Sequence, residues 1–134
     1  MKRMKKRHKT KIDKEFVADE AKKINKEDFK RLNRKRNRLK KILNLKVFAK
    51  QKGKLKLLLE ILSQYRKGHY RKLPWRSVAA ITFTLLYIIN PLDMIPDVLP
   101  VVGYVDDISV FIGLLKLINQ DIDDYLDWKA VQKL

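Results

Sequence analysis

The sequence predicts an all-α protein: a helical hairpin with a Pro/Asp-rich turn, preceded by basic amphipathic helices and followed by a short C-terminal helix. Three observations predict it. Apolar residues recur at three- and four-residue steps through the first half of the chain, and two segments beyond Pro74 are apolar on every side. No strand-period alternation runs longer than four residues, and no internal repeat is present.

Residues 1–26 read as a basic arm. The stretch MKRMKKRHKTK at 1–11 is nearly all charged and can bury almost nothing, so disorder is expected there. Segment 12–26 carries a sparse stripe, Ile12, Phe16, Val17 and Ile24, which contact with a surface would make helical. Residues 27–74 follow as basic amphipathic helices. Phe29, Leu32, Leu39 and Leu43 mark the apolar face of a helix expected over about 27–51, with Arg36 occupying the missing apolar position. Asn25 suits its N-cap, Asp28 follows three residues later, and a break is expected near Gly53. A second helix over about 54–67 presents Leu55, Leu58, Leu59, Ile61, Leu62 and Tyr65, and Gly68 suits the residue that stops it.

Segments 77–90 (SVAAITFTLLYIIN) and, apart from Ser109, Lys116 and the terminal Asn119, 108–119 (ISVFIGLLKLIN) are apolar all round, a pattern that requires burial in protein or in lipid. Between them Pro91, Pro96 and Pro100 forbid one continuous helix. The hairpin unit therefore spans 75–119. Residues 120–134 form the last unit, with a helix expected over about 121–132 around Leu126, Trp128 and Val131.

Charge divides the chain. Residues 1–76 hold 29 Lys and Arg against 7 Asp and Glu, a balance of +22, whereas 77–134 hold 3 against 8, a balance of −5. Such a polycationic half points to a polyanionic partner, nucleic acid or an anionic lipid surface. The absence of cysteine excludes disulfides, thiolate zinc sites and cysteine nucleophiles. Residues 1–45 lack the apolar stretch of a cleavable secretory signal, so the N-terminus is expected on the cytoplasmic side.

The connector carries a specific signature. An apolar helix ending in Tyr87 is followed by Pro91, Asp93, Pro96 and Asp97, then by Gly103, Asp106 and Asp107 ahead of a second apolar helix. In this order and spacing the segment resembles the YkvA family, a domain of unknown function, over roughly residues 75–119. The resemblance implies a helical hairpin, usually membrane-associated, with no established activity or substrate. It says nothing about residues 1–70.

Independently, no Lys or Arg occurs from Ser77 to Leu115, a stretch of 39 residues that would hold about nine at the chain's average rate. Trp75 and Trp128 flank the hairpin where interfacial rings are favoured. These observations predict a membrane hairpin with a transmembrane helix. Length opposes a full span, which needs about 20 apolar residues. Aspartates at the turn would cost about 2.5–3.5 kcal/mol each in hydrocarbon. The turn must then reach the far interface, line a polar cavity, or stay on the near side with shallow helices. The alternative is a soluble helical bundle in which flanking amphipathic helices cover 77–90 and 108–119.

Candidate sites are few. Asp93, Asp97, Asp106 and Asp107 are oxygen ligands of the kind magnesium or calcium takes, but capping and turn formation explain the same residues. His8 and His69 lie far apart among basic residues, and Ser63, Ser77 and Ser109 lack a nucleophile-elbow context. No catalytic residue, cofactor or enzymatic turnover is expected. The strongest partner signal is the basic run Arg31, Arg34, Lys35, Arg36, Arg38, Lys40 and Lys41 as a polyanion-binding surface. Two functions follow. One is a membrane-associated protein of structural or regulatory role, at the cell membrane, with its polybasic arm on the anionic cytoplasmic face. The other is a cytoplasmic nucleic-acid- or ribosome-binding protein with a soluble bundle. Without a zinc finger, an RNP-type motif or interleaved aromatics, nucleic-acid binding would be weakly sequence-specific.

Overall fold

The computed structural model describes residues 13–44, 46–89 and 107–132, with backbone only at Ile42, Val47 and Asp107. The basic tail at 1–12, with Ile12 and His8, lies outside the described residues. So do Pro91, Asp93, Pro96, Asp97, Pro100, Gly103 and Asp106 of the connector.

The described residues are predominantly helical, without strands. In chain order they form α1 (Lys14–Ala21), α2 (Lys26–Arg34), α3 (Arg36–Ile42), a 3₁₀ helix (Lys46–Gln51), α4 (Lys52–Lys67), α5 (Trp75–Ile89), α6 (Asp107–Leu117) and α7 (Asn119–Gln132). The all-α expectation holds.

Helix α5 is the centre. Every residue from Ser77 to Ile88 is buried, none more than 7% exposed. α6 packs along it as the second arm of the hairpin, α1 lies against both, and α2 and α3 also meet α5. The all-round apolar pattern is thus matched over 77–88 by protein on several sides of the helix. No helix among the described residues is long and apolar enough to cross a membrane, so the expected transmembrane helix is not found there. The physical reason is length: α5 has 15 residues and α6 has 11, where a span needs about 20.

The expected arm at 1–26 is corrected over its second half. Asp13 caps α1, its Oδ1 accepting from the backbone N–H of Glu15 and Phe16 at 3.1 and 3.2 Å. Val17, Ala21 and Ile24 are buried, and Phe16 meets Phe83 of α5 edge-on at 6.1 Å. A sparse stripe suffices because the hairpin supplies the apolar partner surface.

The single helix expected over 27–51 is also corrected. Lys35, at φ −103° and ψ 28°, leaves the α region between α2 and α3, and the chain turns again after Ile42 into the 3₁₀ helix. The break expected near Gly53 falls at Gln51, where the 3₁₀ helix gives way to α4, and Gly53 itself sits in the first turn of α4. Gly68 does stop α4, at φ 85°, a left-handed conformation that glycine adopts without Cβ strain. The backbone N–H groups of Gly68 and His69 then reach Tyr65 and Gln64 carbonyls at 3.0 Å.

Helix α7 closes the base of the hairpin. Ser77 of α5 donates its hydroxyl to Asp121 of α7. Tyr125 donates to Glu60 Oε2 of α4, and Lys129 pairs with the same carboxylate at 2.8 Å. Tyr70, Tyr125 and Trp128 form an aromatic cluster, Tyr70 edge-on to Tyr125, with centroids 5.0–5.6 Å apart.

Candidate polyanion interface

Helix α2 begins with a capping box. Asn25 Oδ1 accepts from Asp28 N–H at 2.9 Å, and Asn25 N–H donates to Asp28 Oδ2 at 3.0 Å. Asp28 and Glu27 sit at the positive end of the helix, Arg31 and Arg34 at its negative end. Charges thereby pair within the helix: Arg31 with Asp28 at 3.1 Å and Arg34 with Glu27 at 3.8 Å.

Beyond Lys35 the pattern changes. Arg36, Arg38, Lys40 and Lys41 are exposed, Lys35 is half-buried, and none of the five has a carboxylate partner among the described residues. Leu32 and Leu39, at 0 and 6% exposure, anchor this backbone to the core, and Phe29 meets Tyr65 of α4 edge-on at 5.9 Å. The cations are therefore carried on a fixed surface. Exposed Lys46, Lys50, Lys52, Lys54 and Lys56 continue the positive charge along the chain into α4.

The seven residues expected to bind a polyanion thus divide in two. Arg31 and Arg34 are partly neutralised in place, whereas Lys35, Arg36, Arg38, Lys40 and Lys41 retain uncompensated charge. Arg36 and Lys40 line a recess of about 110 Å³ between α2–α3 and α4, with Asn33 and Ser63 as neutral hydrogen-bonding groups and leucines as its floor. Arg66 of α4 completes the cationic lining. Sequence reasoning missed Arg66, because only the tertiary packing of α4 brings it to α3. Three cations with two neutral donors suit a phosphate-sized anion.

The remaining candidates contribute little. His69 Nδ1 pairs with Gln64 Oε1 at 3.0 Å, and Ser77 is engaged by Asp121. Asp93, Asp97 and Asp106 and the side chain of Asp107 lie outside the described residues, among which no group of three or more His, Asp or Glu is placed to hold a metal. Of the signature residues Tyr87 is described. It is 1% exposed and tilted against Phe83, with centroids 6.0 Å apart.

The family model described as "Protein of unknown function (DUF1232)" matches residues 77–113, the hairpin and its connector. A curated protein of Bacillus subtilis (strain 168), "Uncharacterized membrane protein YkvA", is 30% identical over 90 residues, covering 63% of this chain and 85% of that protein. No solved structure matches. With the connector signature in place and most of that relative's length covered, the chain belongs to the YkvA family of proteins of unknown function.

Proposed function

We propose that this protein is a membrane-associated helical protein of structural or regulatory role, which seats its polybasic helices on the anionic cytoplasmic face of a membrane. The observation that carries the reading is the run Lys35–Lys41, whose exposed cations have no acidic partner among the described residues. The description of the Bacillus subtilis relative as a membrane protein supports the same location. Each Lys or Arg near an anionic bilayer contributes about 1 kcal/mol, so five uncompensated cations suffice for attachment without a spanning helix. The protein acts by binding, without turnover, and its N-terminal half lies on the cytoplasmic side.

Co-sedimentation of the full chain with phosphatidylglycerol vesicles tests this. The chain should bind them, and should ignore pure phosphatidylcholine. The triple variant Lys35→Ala, Arg36→Ala, Lys40→Ala should bind about a hundredfold more weakly, at about 1 kcal/mol per cation. Equal affinity of variant and parent would remove these residues from the interface. Tighter binding to RNA than to vesicles at matched salt would assign the surface to a nucleic acid instead.

A further inference from the structure

A second feature lies away from the basic recess, at the base of the hairpin. The C-terminal end of α1, the first turns of α5 and the last turn of α6 enclose an apolar groove of about 320 Å³. Its walls are small side chains, Ala18, Ala21 and Ala79, closed by Leu117 and Ile118, with half-buried Trp75 among the lining residues. Ala79 and Ile118 are only 1 and 2% exposed, whereas Ala18 and Trp75 are half-buried, so the groove runs from the surface to the edge of the core. The volume falls at the lower end of the range of small-ligand sites, about 300–1,000 Å³.

The lining chemistry selects an occupant. Ser77 is its neutral polar side chain, and that hydroxyl is already given to Asp121. The lining thus offers mainly apolar contact, with the Trp75 indole N–H as its neutral side-chain donor. Its charged lining residues are two exposed cations, Lys22 and Arg76. Arg76 has no acidic partner among the described residues. Lys22 leans on Asp19 at 3.8 Å in an exposed, weak pair, which an incoming anion can displace. Trp75 adds an amphipathic ring of the sort that favours the headgroup level. An apolar slot with two cations and an indole matches an amphiphile with one chain to bury and one negative charge to hold.

We propose that the groove takes one acyl chain of an anionic glycerophospholipid, whose phosphate is held by Lys22 and Arg76. The inference rests on the membrane reading above and deepens it: the protein grips an individual lipid at the membrane surface besides resting on the surface charge. The groove and the recess beside Arg36 are separate sites and fail separately.

The test uses the full chain carrying Trp128→Phe, which leaves Trp75 as its one tryptophan. Lysophosphatidylglycerol is titrated below its critical micelle concentration, followed by Trp75 fluorescence. Saturable one-to-one binding is expected, with quenching when the chain is brominated. Ala18→Phe, which fills the groove from its less buried wall, should weaken it at least tenfold while vesicle binding persists. The double variant Lys22→Ala, Arg76→Ala, which changes only exposed side chains, should also weaken it about tenfold. Absence of binding by the Trp128→Phe chain, or unchanged affinity in both variants, overturns the proposal. Equal affinity for lysophosphatidylcholine overturns the role of the two cations. Lysolipid binding without vesicle binding would retain the groove and sink the surface reading, and the reverse result would do the opposite.

Discussion

The Cα of Gly113 in α6 packs directly on the backbone of Asp13, the residue that caps α1. A Cβ added at 113 would stand 2.8 Å from the Asp13 carbonyl carbon and 2.9 Å from its oxygen. Glycine inside a helix costs about 1 kcal/mol relative to alanine, and here it admits the close approach of α1. Gly113→Ala should therefore destabilise the protein by about 1–3 kcal/mol despite its better helix propensity. Urea denaturation measures it, and a stabilised variant would show that α1 does not pack there.

Two hydroxyls sit at the opposite extreme of satisfaction. Thr82 and Thr84 in α5 are fully buried, and neither Oγ1 finds a hydrogen-bond partner among the described residues. An unmet buried hydroxyl costs about 1–3 kcal/mol, which an isosteric apolar side chain does not incur. Thr82→Val and Thr84→Val should each raise the unfolding free energy by about 1 kcal/mol. A loss of similar size would show that the hydroxyls are bonded in solution.

The two glycines at the ends of α4 should respond in opposite directions. Gly53 has a helical position with nothing within 4 Å of a built Cβ, and its φ is not positive. Gly53→Ala should stabilise by about 0.4–1 kcal/mol. Gly68→Ala must place a Cβ at φ 85°, with Arg71 Nη2 at 3.3 Å, and should destabilise by about 1 kcal/mol or more. Thermal melts of the two single variants give the comparison.

Alkaline pH should weaken the contact between α4 and α7. Burial, then the hydrogen bond to Glu60 and its negative charge, hold the Tyr125 hydroxyl well above its ordinary value of 10.0. Tyr70 is raised as well, by burial and by the nearby Asp124 and Asp121 carboxylates. A raised folded-state pKa means that the unfolded chain loses its phenolic proton first. The contribution is therefore complete below pH 10 and is lost progressively as pH rises above it. Chemical denaturation at stepped pH should show a steeper decline for the parent chain than for Tyr125→Phe. Parallel curves would remove Tyr125 from the linkage.

Local signals in the sequence were legible where one residue type has one physical use. Asn25 with Asp28, Gly68, and the all-apolar run ending near Tyr87 placed a cap, a stop and the hairpin arms close to where they stand. Tertiary consequences were harder to read. Nothing local distinguishes a helix sheathed by protein from one sheathed by lipid, since both require apolar residues on every side of α5. The packing of α1 depends on Phe83 and Gly113, some 70 to 100 residues away, so the four-residue stripe around Val17 read as an arm. Of the candidate surface, the cations of α3 were visible as a run, but the ion pairs that withdraw Arg31 and Arg34 from it emerged only with side-chain geometry.

The order in which the cover of α5 arrives has a consequence for synthesis. Its packing partners α1, α2 and α3 precede it in the chain, whereas α6 follows after the connector. A ribosome that has just released residue 89 therefore holds a predominantly apolar helix with its N-terminal partners available and the α6 side bare. That side stays unpaired until translation passes Leu117, a delay of a few seconds at about 5–20 residues per second. During this interval the nascent chain presents lipids and chaperones with an apolar face that the finished fold conceals.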